Sequence, residues 1–306
     1  MTGGPVGGQR TIAARQRALM RWYRVHGRHH LPWRRRITPY GVLVSEVMLQ
    51  QTQVDRVIPY WNAWMRRWPT MEAFAGAKRA SVIRAWAGLG YNRRAVNLHR
   101  AVQEMVSVPS AKKLLAFSAK GGQAHEKEKS MREWVRELQR LPGIGPYTAN
   151  ALLAFAWNLP APCVDTNVRR VLAYAIYRRP SLMRMPMRRV MEFAACVIPP
   201  GRGRDWNYAL MDYGALVLTA RRTRSVRSST SDKGRRTERF EGSSRFWRGR
   251  IVAVLRSSRR AFTVKELRSR LTTFGEPPSN LRVLSNALVH DGVVTMTNGR
   301  YRLPTT

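Results

Sequence analysis

Between residues 12 and 213, apolar residues recur at intervals of three and four, and strand-like alternation is scarce. This spacing puts the apolar side chains on one face of an α-helix, so the chain is predicted to be mainly α. Helices are predicted at residues 12–26, 40–51, 54–67, 71–74, 80–87, 93–107, 130–140, 147–157, 166–177, 186–197 and 206–219.

Two polar stretches interrupt the helical pattern. Residues 110–129 contain a Gly pair and many charges, which predicts an exposed loop. Residues 221–245 are rich in Ser and Arg and have few apolar residues, which indicates a flexible basic linker. The predicted organisation is a basic N-terminal segment with the first helix (1–27), a helical domain (28–220), the linker (221–245) and a C-terminal domain (246–306).

The C-terminal domain has its own pattern. It contains three short helix candidates, one of which opens with Thr263 and Glu266 in the spacing of a capping box. The stretch VVTMTNGRYRLP then alternates like two strands joined at Asn298-Gly299, a dipeptide suited to a two-residue hairpin turn. This order predicts a small winged-helix-like module. Such a module serves either packing and interaction or extra contact with DNA or a partner, since a fold does not assign function.

The charge of the chain indicates its partner. Lys and Arg number 55 against 18 Asp and Glu, which gives a formal net charge of +37. Such a field attracts phosphates, and each neutralised phosphate releases counterions, so a polyanion is the expected partner. An anionic membrane surface is the competing explanation, but no apolar run approaches the ~20 residues needed to span a bilayer.

Two cysteines, Cys163 and Cys196, are too few for a disulfide framework or a four-thiolate metal site within one chain. So few cysteines are consistent with a protein that works in a reducing compartment. The N-terminus has no apolar core of the signal-peptide type, although its Arg-rich, acid-free composition would also suit an organellar transit peptide.

The stretch LPGIGPYTANALL predicts a helix-hairpin-helix motif. Leu141 follows one predicted helix, Gly143 and Gly145 permit a tight turn around Ile144, and Pro146 suits the first position of the next helix. Backbone N–H groups at such a turn bind a DNA phosphate without reading a base. The alternative is an ordinary helix pair with a short loop, which the glycine spacing and the basic charge disfavour.

Glu46 lies in an unexpected place, inside the apolar run VLVSEVMLQQTQV. Weak solvation on such a helix raises the pKa of a carboxyl group. A carboxylic acid that keeps its proton near neutral pH is a usable general acid. The alternative is a structural Glu paired with one of the many arginines.

Asp165 is the other candidate carboxylate, and the stretch between Glu137 and Glu192 holds no further acid. It directly precedes a predicted helix, where Asp is also a preferred N-cap, so capping alone would explain it. Glu46 and Asp165 together supply two acids in unlike surroundings.

Five stretches carry a family resemblance: LPWRRRITPYGVLVSEVMLQQTQV, WAGLGYNRRAVNLHRA, LPGIGPYTANALLAFA, VDTNVRRVL and WNYALMDYGALV. Their order and separations resemble the adenine DNA glycosylases of the MutY type, which belong to the helix-hairpin-helix glycosylases. The similarity spans residues 28–220. It implies a two-lobed, all-helical fold and removal of adenine mispaired with guanine or 8-oxoguanine in double-stranded DNA.

The resemblance also implies roles for individual residues. Glu46 matches the general acid that protonates the departing adenine, and Asp165 matches the carboxylate that stabilises or transiently captures the cationic sugar. Tyr147 and Asn167 match residues that hold and shape this site. DNA-binding roles are implied for Arg34 in the base pocket, for Gln51 and Tyr91 in the base stack, and for the hairpin residues Leu141, Gly143, Ile144 and Gly145.

The chain departs from the family pattern in three ways. Bifunctional relatives carry a lysine where this chain has Tyr147, so a monofunctional glycosylase is expected. Relatives usually hold an iron-sulfur cluster on four cysteines, whereas the corresponding positions here are Leu218, Ser225, Ser228 and Gly234, so no cluster or other metal is expected. The C-terminal module is also too small for the nudix-like domain that many relatives use to check for 8-oxoguanine.

Two other functions stay open at this point. One is a thymine or uracil mismatch glycosylase, since Tyr147 also fits thymine-mismatch relatives. The other is a non-catalytic DNA-binding or repair-recruitment protein that works through its C-terminal module. The expected setting is a monomer in the cytoplasm of a bacterium, associated with the nucleoid, and an organellar address is the alternative.

Overall fold

The computed structural model describes residues 6–107, 124–219 and 240–305. Their α-helices are α1 (Val6–His26), α2 (Pro32–Arg35), α3 (Pro39–Leu49), α4 (Val54–Arg67), α5 (Met71–Ala75), α6 (Arg79–Ala85), α7 (Arg93–Ser107), α8 (Ala124–Arg140), α9 (Pro146–Trp157), α10 (Thr166–Val171), α11 (Met187–Cys196), α12 (Gly203–Tyr213), α13 (Ser244–Arg256), α14 (Val264–Leu271) and α15 (Leu281–His290).

Three helical turns and two short strands complete the described structure. π-helical turns continue α10 over Leu172–Ile176 and α12 over Gly214–Leu218, and a 3₁₀ turn covers Pro180–Arg184. Strands β1 (Thr295–Thr297) and β2 (Arg300–Arg302) pair antiparallel. The prediction of a mainly α fold is therefore confirmed, and α4 and α7 match their predicted bounds at both ends.

Most other helices begin or end a few residues from their predicted bounds, and two segments predicted as loop or linker are partly helical. Helix α8 begins at Ala124, so the second part of the predicted loop at 110–129 is helical. Its Glu and Lys residues are good helix formers, which explains why the helix extends into a charged segment. Helix α13 begins at Ser244, inside the predicted linker 221–245. The remainder of that loop and linker, residues 110–123 and 221–239, lies outside the described residues.

The chain forms two compact units that interleave along the sequence. The first unit comprises Met1–Glu46, Leu114–Arg140 and Ile144–Asp232, and the second comprises Val47–Lys113, Leu141–Gly143 and Lys233–Thr306. This division cuts across the boundaries predicted at residues 28, 221 and 246.

The core of the first unit centres on α9, whose residues from Ala149 to Phe155 are almost entirely buried. Phe155 stacks on Tyr208 of α12, with ring centroids 4.2 Å apart. Helix α1 is held to the same unit by Gln16, whose Nε2 donates to the carbonyl of Val197 at 2.8 Å. A helix that is apolar on all sides, such as α9, is stable only when other helices surround it.

The second unit has an aromatic core. The ring of Trp64 lies 4.8 Å from Trp68, 5.0 Å from Phe74 and 5.6 Å from Trp86. Such tilted and edge-on ring pairs add to the hydrophobic free energy of burial.

The C-terminal helices and hairpin belong to this second unit. Their hydrophobic core includes Ile83 of α6 and Val96 of α7, so it is completed by the helices that come earlier in the chain. The predicted capping box is confirmed, because the Thr263 side chain accepts from the Glu266 N–H and Glu266 accepts from the Thr263 N–H. The hairpin turn is confirmed as well, with Asn298 and Gly299 both at positive φ.

Within residues 6–107, 124–219 and 240–305, the helices lack the combination of length and apolar composition that crossing a bilayer requires.

Candidate active site

Glu46 is buried in α3 and is 9% exposed, and its neighbours Val42, Leu43 and Val44 are 1% exposed or less. Burial raises the pKa of its carboxyl group to about 7. The positive charge of Arg34 opposes this shift. The sequence prediction of a weakly solvated carboxyl at this position is therefore confirmed.

Two further residues of the first unit act on the Glu46 carboxyl. The negative charge of Asp165 raises the pKa of Glu46, and a hydrogen bond from the Tyr147 hydroxyl lowers it. Asp165 and Tyr147 therefore lie within electrostatic range of Glu46, although both are far from it in sequence. Three of the four residues predicted for catalysis form one cluster, Glu46, Tyr147 and Asp165, which we call the carboxyl cluster.

Tyr147 stands in the first turn of α9, where Gly145 is the N-cap and Pro146 the first helical residue. Burial, followed by the charge of Glu46, raises the pKa of Tyr147 well above its ordinary value. The phenol stays protonated at any physiological pH and donates its hydrogen bond to the carboxylate form of Glu46.

Asp165 is the N-cap of α10, as the alternative explanation predicted. Its Oδ1 accepts a hydrogen bond of 2.7 Å from the Val168 N–H. A cap uses one carboxylate oxygen, so capping and a second role at the carboxyl cluster are compatible. The N-terminal end of a helix also favours negative charge.

The chain leading to Asp165 is fixed by Asn207, a buried residue of α12 that the sequence analysis did not identify. Its Oδ1 accepts from the Cys163 N–H at 2.9 Å, and its Nδ2 donates to the carbonyls of Ala161 at 3.0 Å and Gly203 at 2.7 Å. Because all these contacts are buried, loss of the Asn207 side chain would leave unpaired polar groups beside the carboxyl cluster.

Asn167 is the second residue of α10. Its Oδ1 accepts from Arg170 Nη1 at 3.1 Å. The absence of a side chain at Gly214 makes room for it, since a Cβ there would come within 3.0 Å of the Asn167 Cβ. The structure thus gives Asn167 a packing position between α10 and the turn that follows α12.

Arg34, predicted as a base-pocket contact, is engaged with Asp212. Its Nη1 and Nη2 donate to the two carboxylate oxygens at 2.7 and 3.0 Å, and its guanidinium lies 4.0 Å above the Tyr208 ring. Arg28 bonds the same carboxylate through its backbone N–H and its Nε, both at 2.8 Å. Burial by itself raises the pKa of Asp212, but the bonds and charge of Arg34 outweigh it and leave that pKa below its ordinary value.

Sequence reasoning missed Asp212. The available signal was an acid inside the apolar block WNYALMDYGALV, the same kind of signal that identified Glu46. Asp212 is fully buried and forms an ion pair with Arg34. This is expected, because a buried carboxylate is rarely found without a positively charged partner.

Gln51 and Tyr91, predicted to enter the DNA base stack, belong to the second unit. Both are exposed, Tyr91 by 40%, and both adopt positive φ, 55° and 48°. Left-handed backbone at residues other than Gly is uncommon and often marks a functional loop.

Arg94 holds the backbone that leads into each of these two residues. Its guanidinium donates to the carbonyls of Val47 (2.8 Å), Met48 (3.2 Å), Gln50 (2.5 Å), Leu89 (3.0 Å) and Gly90 (3.2 Å). Burial lowers the pKa of Arg94 to about 10, which still leaves it charged at neutral pH. One planar cation therefore fixes the loop of Gln51 and the loop of Tyr91 together.

The two glycines of the predicted hairpin turn differ in backbone conformation and in the space around them. Gly143 has a φ of 77°, and a Cβ there would lie 2.8 Å from the Cβ of Asn97. Gly145 has an ordinary φ of −87° and open space around it. Leu141 is half-buried and Ile144 is buried. Only Gly143 depends on the conformational freedom of glycine.

The part of the chain that the structure describes contains no group of three His, Cys, Asp or Glu side chains that would hold a metal ion. Cys163 is buried, and burial followed by the charges of Glu46 and Asp165 raises the pKa of its thiol well above the ordinary value. Leu218 has no donor atom, so the residues present do not fit a four-thiolate cluster.

The sequence and the fold are both similar to those of DNA repair proteins. A family model described as "HhH-GPD superfamily base excision DNA repair protein" matches residues 44–184. The adenine DNA glycosylase of Mycolicibacterium smegmatis is 37% identical over 300 residues, covering 93% of this chain and 94% of that protein. The human adenine DNA glycosylase is 36% identical over 221 residues, covering 69% of this chain and 37% of that protein.

Among solved structures, a thermostable thymine-DNA glycosylase superposes with a TM-score of 0.55 at 20% identity, covering 69% of this chain and 89% of that one. A non-covalent complex of endonuclease III with DNA gives a TM-score of 0.50 at 16% identity, covering 68% of this chain and 86% of that one. Because the sequence identities are low, these two superpositions support the fold and carry no conclusion about function.

Proposed function

Because the chain belongs to the adenine DNA glycosylases of the HhH-GPD superfamily, we propose that it excises adenine mispaired with guanine or 8-oxoguanine, as a monofunctional enzyme. The chain is a hydrolase of base excision repair.

The observation that carries the proposal is the burial of Glu46 in α3, which raises the pKa of its carboxyl group, with Tyr147 and Asp165 in range of that carboxyl. Cleavage of an N-glycosidic bond makes an oxocarbenium-like sugar and an anionic leaving base, so one carboxyl must donate a proton while another carries negative charge. A carboxyl whose pKa is about 7 is partly protonated at neutral pH and donates a proton readily. Glu46 protonates the departing adenine in this mechanism.

Asp165 supplies the second carboxyl. It faces the sugar and stabilises the positive charge that develops as the bond to adenine breaks. Tyr147 keeps its proton and donates to Glu46 once that residue has given up its own, which stabilises the carboxylate product. Asn167 and Arg34 shape the site, the latter with its guanidinium oriented by Asp212.

Strand cleavage is not part of the reaction. A bifunctional glycosylase needs an amine that attacks the sugar and forms a Schiff base, and Tyr147 occupies the position where such relatives carry lysine. The expected product is an intact strand with an abasic site. Borohydride treatment during turnover tests this, because efficient trapping of a covalent protein–DNA adduct would refute it.

The enzyme binds mismatched duplex DNA as a monomer. The hairpin from Leu141 to Gly145 contacts the phosphate backbone, while Gln51 and Tyr91 enter the stack when adenine leaves it. A net charge of +37 supports this partner. We place the enzyme in the bacterial cytoplasm, on the nucleoid.

We further propose that the enzyme works without an iron-sulfur cluster. Leu218, Ser225, Ser228 and Gly234 stand where relatives have ligands, and the sequence contains only two cysteines. Protein purified without chelators and analysed for iron by mass spectrometry is expected to contain far less than one cluster per chain. Stoichiometric iron with absorbance in the visible blue would contradict the proposal.

A panel of duplexes tests the function. Wild type and Glu46→Gln are incubated with duplexes holding A:8-oxoguanine, A:G, T:G or U:G pairs, and released bases are identified by mass spectrometry. Adenine release by wild type and its loss in Glu46→Gln support the proposal. Release of thymine or uracil would establish the pyrimidine alternative, and no release from any duplex would indicate a binding protein.

A further inference from the structure

A cavity of about 740 Å³ opens in the first unit, between α1 and the turn that leads into α12. Its volume lies in the range of ~300–1,000 Å³ that small-molecule ligand sites occupy. None of the three residues of the carboxyl cluster lines it. We call it the α1 cavity. Its charged lining residues are Arg17, Arg21, Arg24, Arg202 and Asp205.

Three of the arginines form a row on one face of α1. Arg17 and Arg21 are four residues apart and Arg24 follows three residues later, so they are separated by ~6 Å and ~4.5 Å along the helix axis. Like charges at this spacing destabilise a helix by about 0.2–0.5 kcal/mol per pair. The helix dipole favours Arg24, which lies in the last turn, but its effect does not extend to Arg17 and Arg21. Helix stability therefore does not explain the row.

The donors of these arginines are available to a ligand. All four arginines of the α1 cavity are exposed, and within the described residues none of their side chains forms an ion pair or a hydrogen bond. By contrast, Arg28 and Arg34 of the same unit share the carboxylate of Asp212. Each unpaired guanidinium presents five N–H donors in a planar fork that matches the oxygens of a phosphate. The row on α1 therefore suits a ligand with several phosphates.

The remaining lining suits the neutral part of such a ligand. Ala13, Met20 and Pro199 supply apolar surface. Burial raises the pKa of Tyr23 to about 12, so its phenol stays neutral and does not repel an anion. The carboxylate of Asp205 accepts hydrogen bonds, which matches the hydroxyl groups of a ribose or the amino group of a base.

We propose that the α1 cavity binds a nucleotide that carries two or more phosphates. The guanidinium row contacts the phosphates, and the nucleoside lies against the apolar lining and Asp205. A DNA duplex is too wide to enter a cavity of this volume, so the ligand is a small molecule and not the DNA substrate. The site is separate from the carboxyl cluster, and the inference does not depend on the proposed function.

The chain offers a matched control for charge. Arg184 and Arg188 are exposed arginines of the same unit, and they do not line the α1 cavity. The double variant Arg184→Gln/Arg188→Gln removes the same charge as Arg17→Gln/Arg21→Gln. Comparison of the two therefore separates a specific site from general attraction to a basic protein.

A second control concerns space. Ala13 is half-buried and lines the cavity, whereas Ala14 is exposed and does not. Ala13→Phe puts a ring into the cavity without changing the charge, and Ala14→Phe adds the same ring outside it. Binding that depends on charge alone would survive both substitutions.

The test is isothermal titration calorimetry on the full chain without DNA, at about 150 mM salt, where weak surface attraction is screened. The probes are ATP, AMP and inorganic triphosphate. Wild type is expected to bind one ATP per chain, and to bind AMP and inorganic triphosphate more weakly. Arg17→Gln/Arg21→Gln and Ala13→Phe should each lower the affinity for ATP by about tenfold or more, and both controls should stay within about twofold of wild type.

Four results would overturn the inference. Wild type that binds no ATP would show that the cavity is not a nucleotide site, and equal weakening by the two arginine pairs would indicate general attraction. Inorganic triphosphate that binds as tightly as ATP would show that the nucleoside is not recognised. Displacement of ATP by a short DNA duplex would show that the arginines face DNA. Melting temperatures verify that the variants fold, and adenine release, measured separately, tests the proposed function alone.

Discussion

Arg34 and Asp212 form a bidentate ion pair, with Nη1 to Oδ2 at 2.7 Å and Nη2 to Oδ1 at 3.0 Å. The Asp212 side chain is fully buried, and that of Arg34 is 6% exposed. The same guanidinium opposes the rise in the pKa of Glu46. The pair therefore joins α2 to α12 and also tunes the acid that we assign to catalysis.

Asp212→Asn is expected to destabilise the protein strongly. Removing one charge of a buried pair leaves the other uncompensated, which lowers the free energy of unfolding by about 3–5 kcal/mol. The control is Glu192→Gln, in the exposed i,i+3 pair with Arg189 at 2.8 Å. The free energy of unfolding of the Glu192→Gln variant should decrease by less than about 1 kcal/mol. Urea denaturation measures both, and similar losses for the two variants would argue against the importance of the buried pair.

Excision is expected to slow at high pH. Burial raises the pKa of Glu46 to about 7, and only its protonated form donates to the leaving adenine. The single-turnover rate should therefore decrease about tenfold per pH unit above that value, and Glu46→Gln should lower the rate about 10²-fold to 10⁴-fold. A wild-type rate that is constant between about pH 6 and pH 9 would be incompatible with this role.

The raised pKa of Glu46 also predicts a pH-dependent stability. The folded state holds a proton that the unfolded state releases between about pH 4.5 and pH 7, so stability decreases as pH rises through that window. Glu46→Gln has no buried carboxyl to deprotonate, so the variant is expected to have a free energy of unfolding about 2–3 kcal/mol higher than wild type at pH 8. At pH 4 the change should be small, and Glu137→Gln, at an exposed pair with Arg140, should show no such difference between the two pH values. A Glu46→Gln protein no more stable than wild type at pH 8 would disprove this account.

The two glycines of the hairpin are expected to respond differently to alanine. Gly143→Ala puts a Cβ 2.8 Å from that of Asn97 at a φ of 77°, so it should cost about 1–3 kcal/mol and weaken DNA binding. Gly145→Ala meets open space at an ordinary φ and should change stability by less than about 1 kcal/mol. Thermal denaturation and DNA titration compare the two, and equal tolerance would contradict the observed turn.

Arg94→Lys is expected to impair base flipping. Lysine retains the charge but has one nitrogen with three donors in place of the planar guanidinium, so it cannot reproduce the five carbonyl contacts and the backbone leading into Gln51 and Tyr91 is held less firmly. Flipping, followed by the fluorescence of 2-aminopurine at the target position, should decrease more than the affinity for undamaged duplex. Arg93→Lys is the control, since Arg93 pairs with Asp291 at the surface. Equal flipping in both variants would rule out the positioning role of Arg94.

Local patterns predicted much of the fold. Helices α4 and α7 were predicted at both ends because apolar periodicity is a property of a continuous segment. The capping box at Thr263 and the turn at Asn298-Gly299 were found for the same reason. Helix α2 was missed, since four residues are too few to show a period.

Only part of the candidate site could be predicted from the sequence. Glu46 was identifiable as a buried acid because its apolar neighbours lie next to it in the sequence. Asn207 and Arg94 were not identified, because their partners are backbone groups of distant segments, which no local pattern indicates. The interleaving of the two units could not be predicted from the sequence either, since it depends on which helices pack together.

The sequence by itself determined the helical class, the hairpin, the basic charge and the presence of an acid in apolar surroundings, because each depends on residues that are near one another along the chain. Only the tertiary structure decided that Arg34, Asp165 and Tyr147 come close enough to act on the buried carboxyl of Glu46, and that Asp212 holds Arg34. Electrostatic interactions depend on separation in space, and folding alone brings these residues within range of one another.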